Sequence, residues 1–325
     1  MNQPISLQSV LGAAAGEEQH MLGKLLYFSL SNLLVDREEL AALCDAMGLH
    51  YGVSSRLSVA DAFRSATGDV RERIVCKRNG ETQIYQVYCR DNRRTARGVL
   101  SRELVKETVN RQTNQYEKLA NICYDRDICT FHYDNLVYDA DVDVTGLCRR
   151  AEELFELYQT CANRRQVETI CVNYIRSLEA TKISINGHLF FVPRHTMGRV
   201  DVLEDFLTEV NRLNRTRLPV LANSIYILDD ARQREKMTEE FYAAVKKEIA
   251  DYQERAGYLI QSGSQSPAVL ERWVARIDAL EEKKRHYETI LRRELDGLDE
   301  EFSALQLLSQ ELAIRARGLR FQKAA

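Results

Sequence analysis

The sequence predicts an α+β fold: an antiparallel β-meander with helices, a small β-α-β unit, and a long C-terminal antiparallel helical hairpin of coiled-coil type. Three observations carry this. Asn79-Gly80 separates two alternating runs, Arg73–Lys77 and Ile84–Tyr88, and is the pair a type I′ hairpin turn demands. From about Thr145 the apolar period changes from two to that of a helix. Beyond Ala231, apolar residues recur in steps of three and four through most of the last quarter of the chain, a seam rather than an ordinary core stripe.

In chain order, residues 1 to about 20 read as a loose leader and Leu25–Ser31 as a buried strand. Asp36 with Glu39 forms a capping box for a helix through Leu40, Leu43 and Met47, which Gly48 closes. Ser58 with Asp61 opens a second helix over Val59–Ala66. Arg102–Val109 alternates as a third strand, and Gln115–Tyr124 and Ile128–Tyr133 continue the meander, with one wet face and one packed by helices. Leu147, Ala151, Leu154, Leu157 and Tyr158 then share a helical face, and Val167, Ile170, Tyr174 and Leu178 repeat it. A compact β-α-β follows: strand Gly187–Pro193, helix Val200–Leu213, strand Ser224–Leu228. The expected division is 1–142, 143–230 and 231–325.

The first arm of the tail carries Met237, Phe241, Val245, Ile249, Tyr252, Ala256 and Leu259 on one stripe, and Ser262–Gln265 is a turn. Ser266-Pro267 then supplies an N-cap and a proline at the first helical position. The second stripe runs Trp273, Ile277, Leu280, Lys284, Tyr287, Leu291, Leu295, Leu298, Phe302, Leu305, Leu308, Leu312. A single helix from Pro267 to Arg315 would span roughly 75 Å, about twice what the first arm covers. Apolar surface near Phe302, Leu305, Leu308 and Leu312 is therefore expected to seek another partner. The expected assembly surface is Trp273, Ile277, Leu280, Tyr287, Leu291, Leu298, Phe302, Leu305, Leu308 and Leu312.

With 325 residues, 45% hydrophobic and 29% charged, the chain falls in the soluble globular class, and 4 prolines and 15 glycines argue against extensive disorder. A net charge of −3 gives no global drive toward nucleic acid or anionic membrane. No signal peptide or membrane span is expected, so the chain is read as cytosolic, with its 8 cysteines reduced and mostly packed as small hydrophobes. No G-x-G-x-x-G, Walker loop, H-E-x-x-H or G-x-S-x-G occurs. No cofactor and no catalytic residue is expected.

The opening Leu25–Gly48, the segment Val59–Thr67, and Leu189–Pro193 followed by Leu203–Leu207 resemble an uncharacterised bacterial and phage- or plasmid-borne domain-of-unknown-function family. The likeness covers about three-quarters of the chain. It implies this domain order and a mobile-element setting, and carries over no catalytic residue.

Several constellations could carry chemistry. Region 71–102 is basic, and if one sheet face gathered Arg93, Arg94, Arg97 and Arg102 with Tyr85 and Tyr88, it could hold phosphates and stack bases. Asp139, Asp141 and Asp143 alternate on an extended run. They fail as a calcium loop, with Val144 at position six and Arg150 at position twelve, but could hold magnesium for phosphoryl transfer. The alternative is a solvated strand exit with acids beside a helix N-terminus. Cys123, Cys129 and His132 have a loosely zinc-like spacing, against packing on a strand. His188 and His195 flank a buried strand, where packed or surface roles are the ordinary ones. Arg212, Arg215 and Arg217 suit the C-terminal pole of a helix.

These readings give three expected functions. The first is a scaffold that binds itself or another protein along the hairpin, without membrane contact. The second is a nucleic-acid module on the basic hairpin, and the third a metal-dependent phosphoesterase or nuclease.

Overall fold

The structure, a computed structural model, describes residues 21–52, 57–78, 81–92, 98–109, 116–183, 187–216 and 218–324. The leader, the Asn79-Gly80 turn, and Arg93, Arg94, Arg97 and Arg217 lie outside them. Contacts divide the chain into two compact units, both discontinuous: Met1–Leu30 with Cys171–Asn211 and Pro219–Ala325, and Ser31–Ile170 with Arg212–Leu218. These borders differ from 142/143 and 230/231 because the strand at residue 21 pairs with strands beyond residue 187.

In the unit spanning 31–170, strand β2 (Leu34–Asp36) leads into α1 (Arg37–Ala46), followed by α2 (Val59–Asp69). Strands β3 (Arg71–Arg78), β4 (Glu81–Asp91), β5 (Val99–Thr108), β6 (Tyr116–Asp125) and β7 (Thr130–Asp134) follow, then α3 (Val144–Thr160) and β8 (Cys161–Asn163). The five strands β3 to β7 form an antiparallel meander in sequence order, with Arg78 opposite Glu81 at the end of the β3–β4 pairing. Strand β8 pairs with β2.

The local caps are in place. Asp36 accepts from the amides of Glu38 and Glu39, Ser58 Oγ from that of Asp61, and Gly48 takes a φ of +66°. Glu39 does not complete the box, because its carboxylate takes the Arg215 guanidinium at 2.8 Å. Helices α2 and α3 cover one sheet face with a core that includes Phe63, Ala66, Val87, Leu104, Ile122 and Phe155. Tyr158 donates to Asp69 at 2.6 Å, fastening α3 to the end of α2.

In the other unit, β1 (Met21–Leu30) lies between β10 (His188–Pro193) and β11 (Val220–Leu228), with β9 (Thr181–Lys182) outside β10. Helix α4 (Arg164–Ser177) precedes β9, and the border between the units falls within it. A 3-10 segment, Arg194–Arg199, and α5 (Val200–Leu213) connect β10 to β11. Both flanking strands run antiparallel to β1 and hence parallel to one another, so the β-α-β unit is split by an inserted strand. Gly23 permits this close pairing, since a Cβ there would meet the Val192 carbonyl oxygen at 2.1 Å. Lys24 is buried beside it and reaches Asp201 at 2.8 Å.

The tail starts as expected: α6 (Ala231–Gln261) and α7 (Pro267–Leu291) form an antiparallel hairpin about a turn with Gly263 at φ +63°. The second arm does not run on to Arg315. It stops at Leu291, and Arg292 adopts the left-handed conformation at φ +54°. The Leu295 amide donates to Glu288 Oε1 at 2.9 Å, and Tyr242 donates to the Gly297 carbonyl at 2.8 Å. A Cβ on Gly297 would meet the Tyr242 hydroxyl at 2.8 Å. After a 3-10 turn, Asp296–Leu298, helix α8 (Asp299–Ala324) folds back against α7 and α6 and closes a three-helix bundle. No helix among the described residues is long and apolar enough to cross a membrane.

Candidate functional site

The bundle consumes the surface expected to assemble. Ile277, Leu280, Tyr287, Leu291, Leu298, Phe302, Leu305 and Leu312 are buried in its core, and Trp273 and Leu308 are half-buried against it. The expected apolar overhang is thus corrected: reversal at Arg292 brings Phe302 to Leu312 onto α6 and α7. Even Lys284, a charge in the seam, is satisfied, with Nζ 2.6 Å from Asp299 and 3.2 Å from Glu288. Burial works to lower its pKa, and the bonds to those carboxylates outweigh it, so the net direction is up.

What α8 leaves in solvent is its opposite face. Leu307 and Ile314 are each 68% exposed and Phe321 78%, at seven-residue intervals. Glu300, Ala304, Glu311 and Gly318 interleave with them, so the face steps four, three, four, three, four, three, as a heptad seam does. Ala304 and Gly318 put small side chains at alternate seam positions, and nothing lies within 4 Å of where a Cβ on Gly318 would be. The helix is acidic at its start, with Asp299, Glu300 and Glu301, and carries Arg317 and Arg320 near its end. The sequence reading missed this face because the inward stripe on the same helix is stronger.

Among the described residues of the basic region, Tyr85, Tyr88 and Arg102 do not share one face. Tyr85 and Tyr88 are three residues apart on β4, whose register is unbroken, so they point to opposite faces. Arg102 is held by Asp91 at 3.1 Å and by the Thr67 hydroxyl at 3.2 Å. Arg90 makes two hydrogen bonds to Glu103, at 2.8 and 2.9 Å, and Lys118 lies 3.2 Å from the same carboxylate. Asp91 on β4 and Glu103 on β5 therefore neutralise these cations.

The acidic run has a cation of its own. Lys106 Nζ lies 2.7 Å from Asp139 and 3.5 Å from Asp141, with its side chain only 7% exposed. Asp139 also accepts from the Asp141 amide, and Asp143 caps α3 by accepting from Gly146. The Lys106 ammonium thus holds both Asp139 and Asp141.

Burial pushes the thiols of Cys44 and Cys148 up to about 11 and that of Cys89 to about 12, away from nucleophilic use. Cys129 stands apart from the zinc-like triple, its Sγ on the Arg126 carbonyl. Asp134 joins Cys123 and His132 in its place. That carboxylate already accepts from Asn121 and Asn135. His188 is a packed residue, stacked on Phe28 at 4.2 Å. His195 is not: with Glu179 and His286 it forms a second cluster of potential metal donors. Residues 179, 195 and 286 have no common spacing that a sequence could reveal.

A five-stranded meander under two helices, a split β-α-β sheet and a closed three-helix bundle define an α+β protein whose most distinctive exposed feature is a heptad-spaced helix face. The chain belongs to a family of unknown function, DUF6744, whose model matches residues 21–318. No curated protein and no solved structure matches it.

Proposed function

We propose that the protein is an interaction protein that self-associates through the outer face of α8, two copies pairing antiparallel along the seam from Glu300 to Phe321. The observation that carries this reading is the exposure of Leu307, Ile314 and Phe321 at heptad spacing on a helix whose other face is already filled. Charge favours the antiparallel sense. Parallel pairing would set Glu300 against its own copy and the two acidic starts side by side, whereas antiparallel pairing brings the acidic start of one α8 toward Arg317 of the other; Glu311, at the middle of the seam, meets its own copy in either sense.

Six large side chains at about 1.5 kcal/mol each offer about 9 kcal/mol. Association takes at least about 4 kcal/mol of that. The remainder, about 5 kcal/mol, corresponds to a Kd of about 0.2 mM. This is a weak dimer that responds to concentration. The proposal also sets the protein in the cytosol and, following the resemblance, on a phage or plasmid.

Sedimentation of the double variant Leu307→Glu, Ile314→Glu tests the reading. The variant should keep the mass of one chain at concentrations where the unaltered protein dimerises. Equal association of both would overturn it.

A further inference from the structure

We infer that Glu179, His195 and His286 form a binding site for a divalent first-row transition metal ion, with zinc as the reference ion. This goes beyond self-association and uses different residues. His286 Nδ1 lies 2.8 Å and His195 Nε2 3.2 Å from the same oxygen, Glu179 Oε2. The two imidazoles meet edge to face with centroids 5.1 Å apart, and one donor atom from each residue lies within 4.8 Å of the others. Two nitrogens and one carboxylate oxygen form a donor set that zinc and its neighbours accept. At zinc–ligand bonds of about 2.1 Å, tetrahedral donors stand about 3.4 Å apart, so the two Glu–His separations need to open by only a few tenths of an ångström.

The residues come from three segments, and each is anchored. Glu179 ends the turn after α4 with φ +54°, a strained conformation for a non-glycine residue and one that recurs at functional sites. Its carbonyl accepts from the wholly buried Tyr287 hydroxyl at 3.0 Å. Lys283, a helical turn from Tyr287 on α7, donates to the Ala180 carbonyl at 3.0 Å. Thr196, next to His195, donates to the Leu178 carbonyl at 2.7 Å. Those bonds fix the backbone on either side of the carboxylate and tie the His195 segment to it, the outer support that metal sites require. Glu179, His195 and His286 keep 27%, 38% and 43% of their side-chain surface exposed, so an ion can enter and retain water on its open side.

Protons compete with the metal ion for the imidazole nitrogens and the carboxylate, so affinity should fall as the solution is made acidic. The test titrates the full chain with zinc by calorimetry, and with cobalt(II) by visible absorption. It is repeated on His195→Ala, His286→Ala and Glu179→Gln, with His132→Ala reporting on the Cys123 cluster. The expected result is one zinc per chain, weakened at least about tenfold by each of the first three substitutions. His132→Ala should bind as the unaltered chain does, and the bound cobalt should show no thiolate charge-transfer band. Glu179→Gln keeps a side chain of the same shape, so its loss of zinc would not reflect failure to fold. Absence of zinc binding by the unaltered chain, or unchanged binding by His195→Ala and His286→Ala, would overturn the assignment.

Discussion

Replacing Leu305 with alanine is expected to destabilise the unit that holds the bundle by about 2–5 kcal/mol and to leave association unchanged. Leu305 is wholly buried, one helical turn beyond Phe302 in the core shared by α6, α7 and α8. Truncation removes its transfer free energy and leaves a cavity that long helices cannot close by local collapse. Leu307, two residues on, should behave in the opposite way. It is 68% exposed, so alanine there should change stability by no more than about 0.5 kcal/mol while weakening dimerisation. Urea unfolding and sedimentation of the two variants separate the faces of α8. An interface role for Leu305 would give a fall in mass with little change in stability.

The second large effect is expected at Lys106. Its ammonium is buried between Asp139 and Asp141, 4.2 Å from the centroid of the Tyr85 ring. Lys106→Ala would strand two poorly solvated carboxylates, a loss of about 3–5 kcal/mol. Burial acts to raise the Asp139 pKa, but the Lys106 hydrogen bond and the amides of Asp141 and Val142 prevail, so it is lowered. Its stabilising contribution is present above the unfolded value of about 4 and disappears as pH falls through the depressed folded value. Lys106 is shifted the other way: burial lowers it, Asp139 and Asp141 prevail, and the net shift is up. Its contribution is present below the unfolded value of about 10.4 and is lost as pH rises through the higher folded one. The pair should thus stabilise evenly across neutral pH. In Lys106→Ala the sign reverses on the acid side, because protonation relieves the stranded carboxylates and narrows the gap to the unaltered protein. Urea midpoints between about pH 3 and 7 would show this. A gap that widened on acidification would contradict it.

Particular residues show which parts of the fold a sequence could reveal. Asp36, Ser58 and Pro267 act within a few residues of themselves, and three helix starts follow from them. Insertion of β1 between β10 and β11 depends on pairing across more than 160 residues, such as Leu25 with Phe191, and leaves no local mark. The reversal at Arg292 was hidden for a different reason. Leu295 and Leu298 are themselves buried in the turn, so the apolar rhythm runs through a break that no proline announces. Tyr85 and Tyr88 could have been assigned to opposite faces from parity alone. The Glu179 cluster could not have been found, since its three residues converge only after α7 packs on the β9 turn.

Self-association is decided by sedimentation equilibrium of the unaltered chain over a concentration series from micromolar to about 1 mM. The mass should rise from 37.4 kDa toward twice that value, and stay at the lower value in the double variant Leu307→Glu, Ile314→Glu. A mass of one chain throughout the series would contradict it.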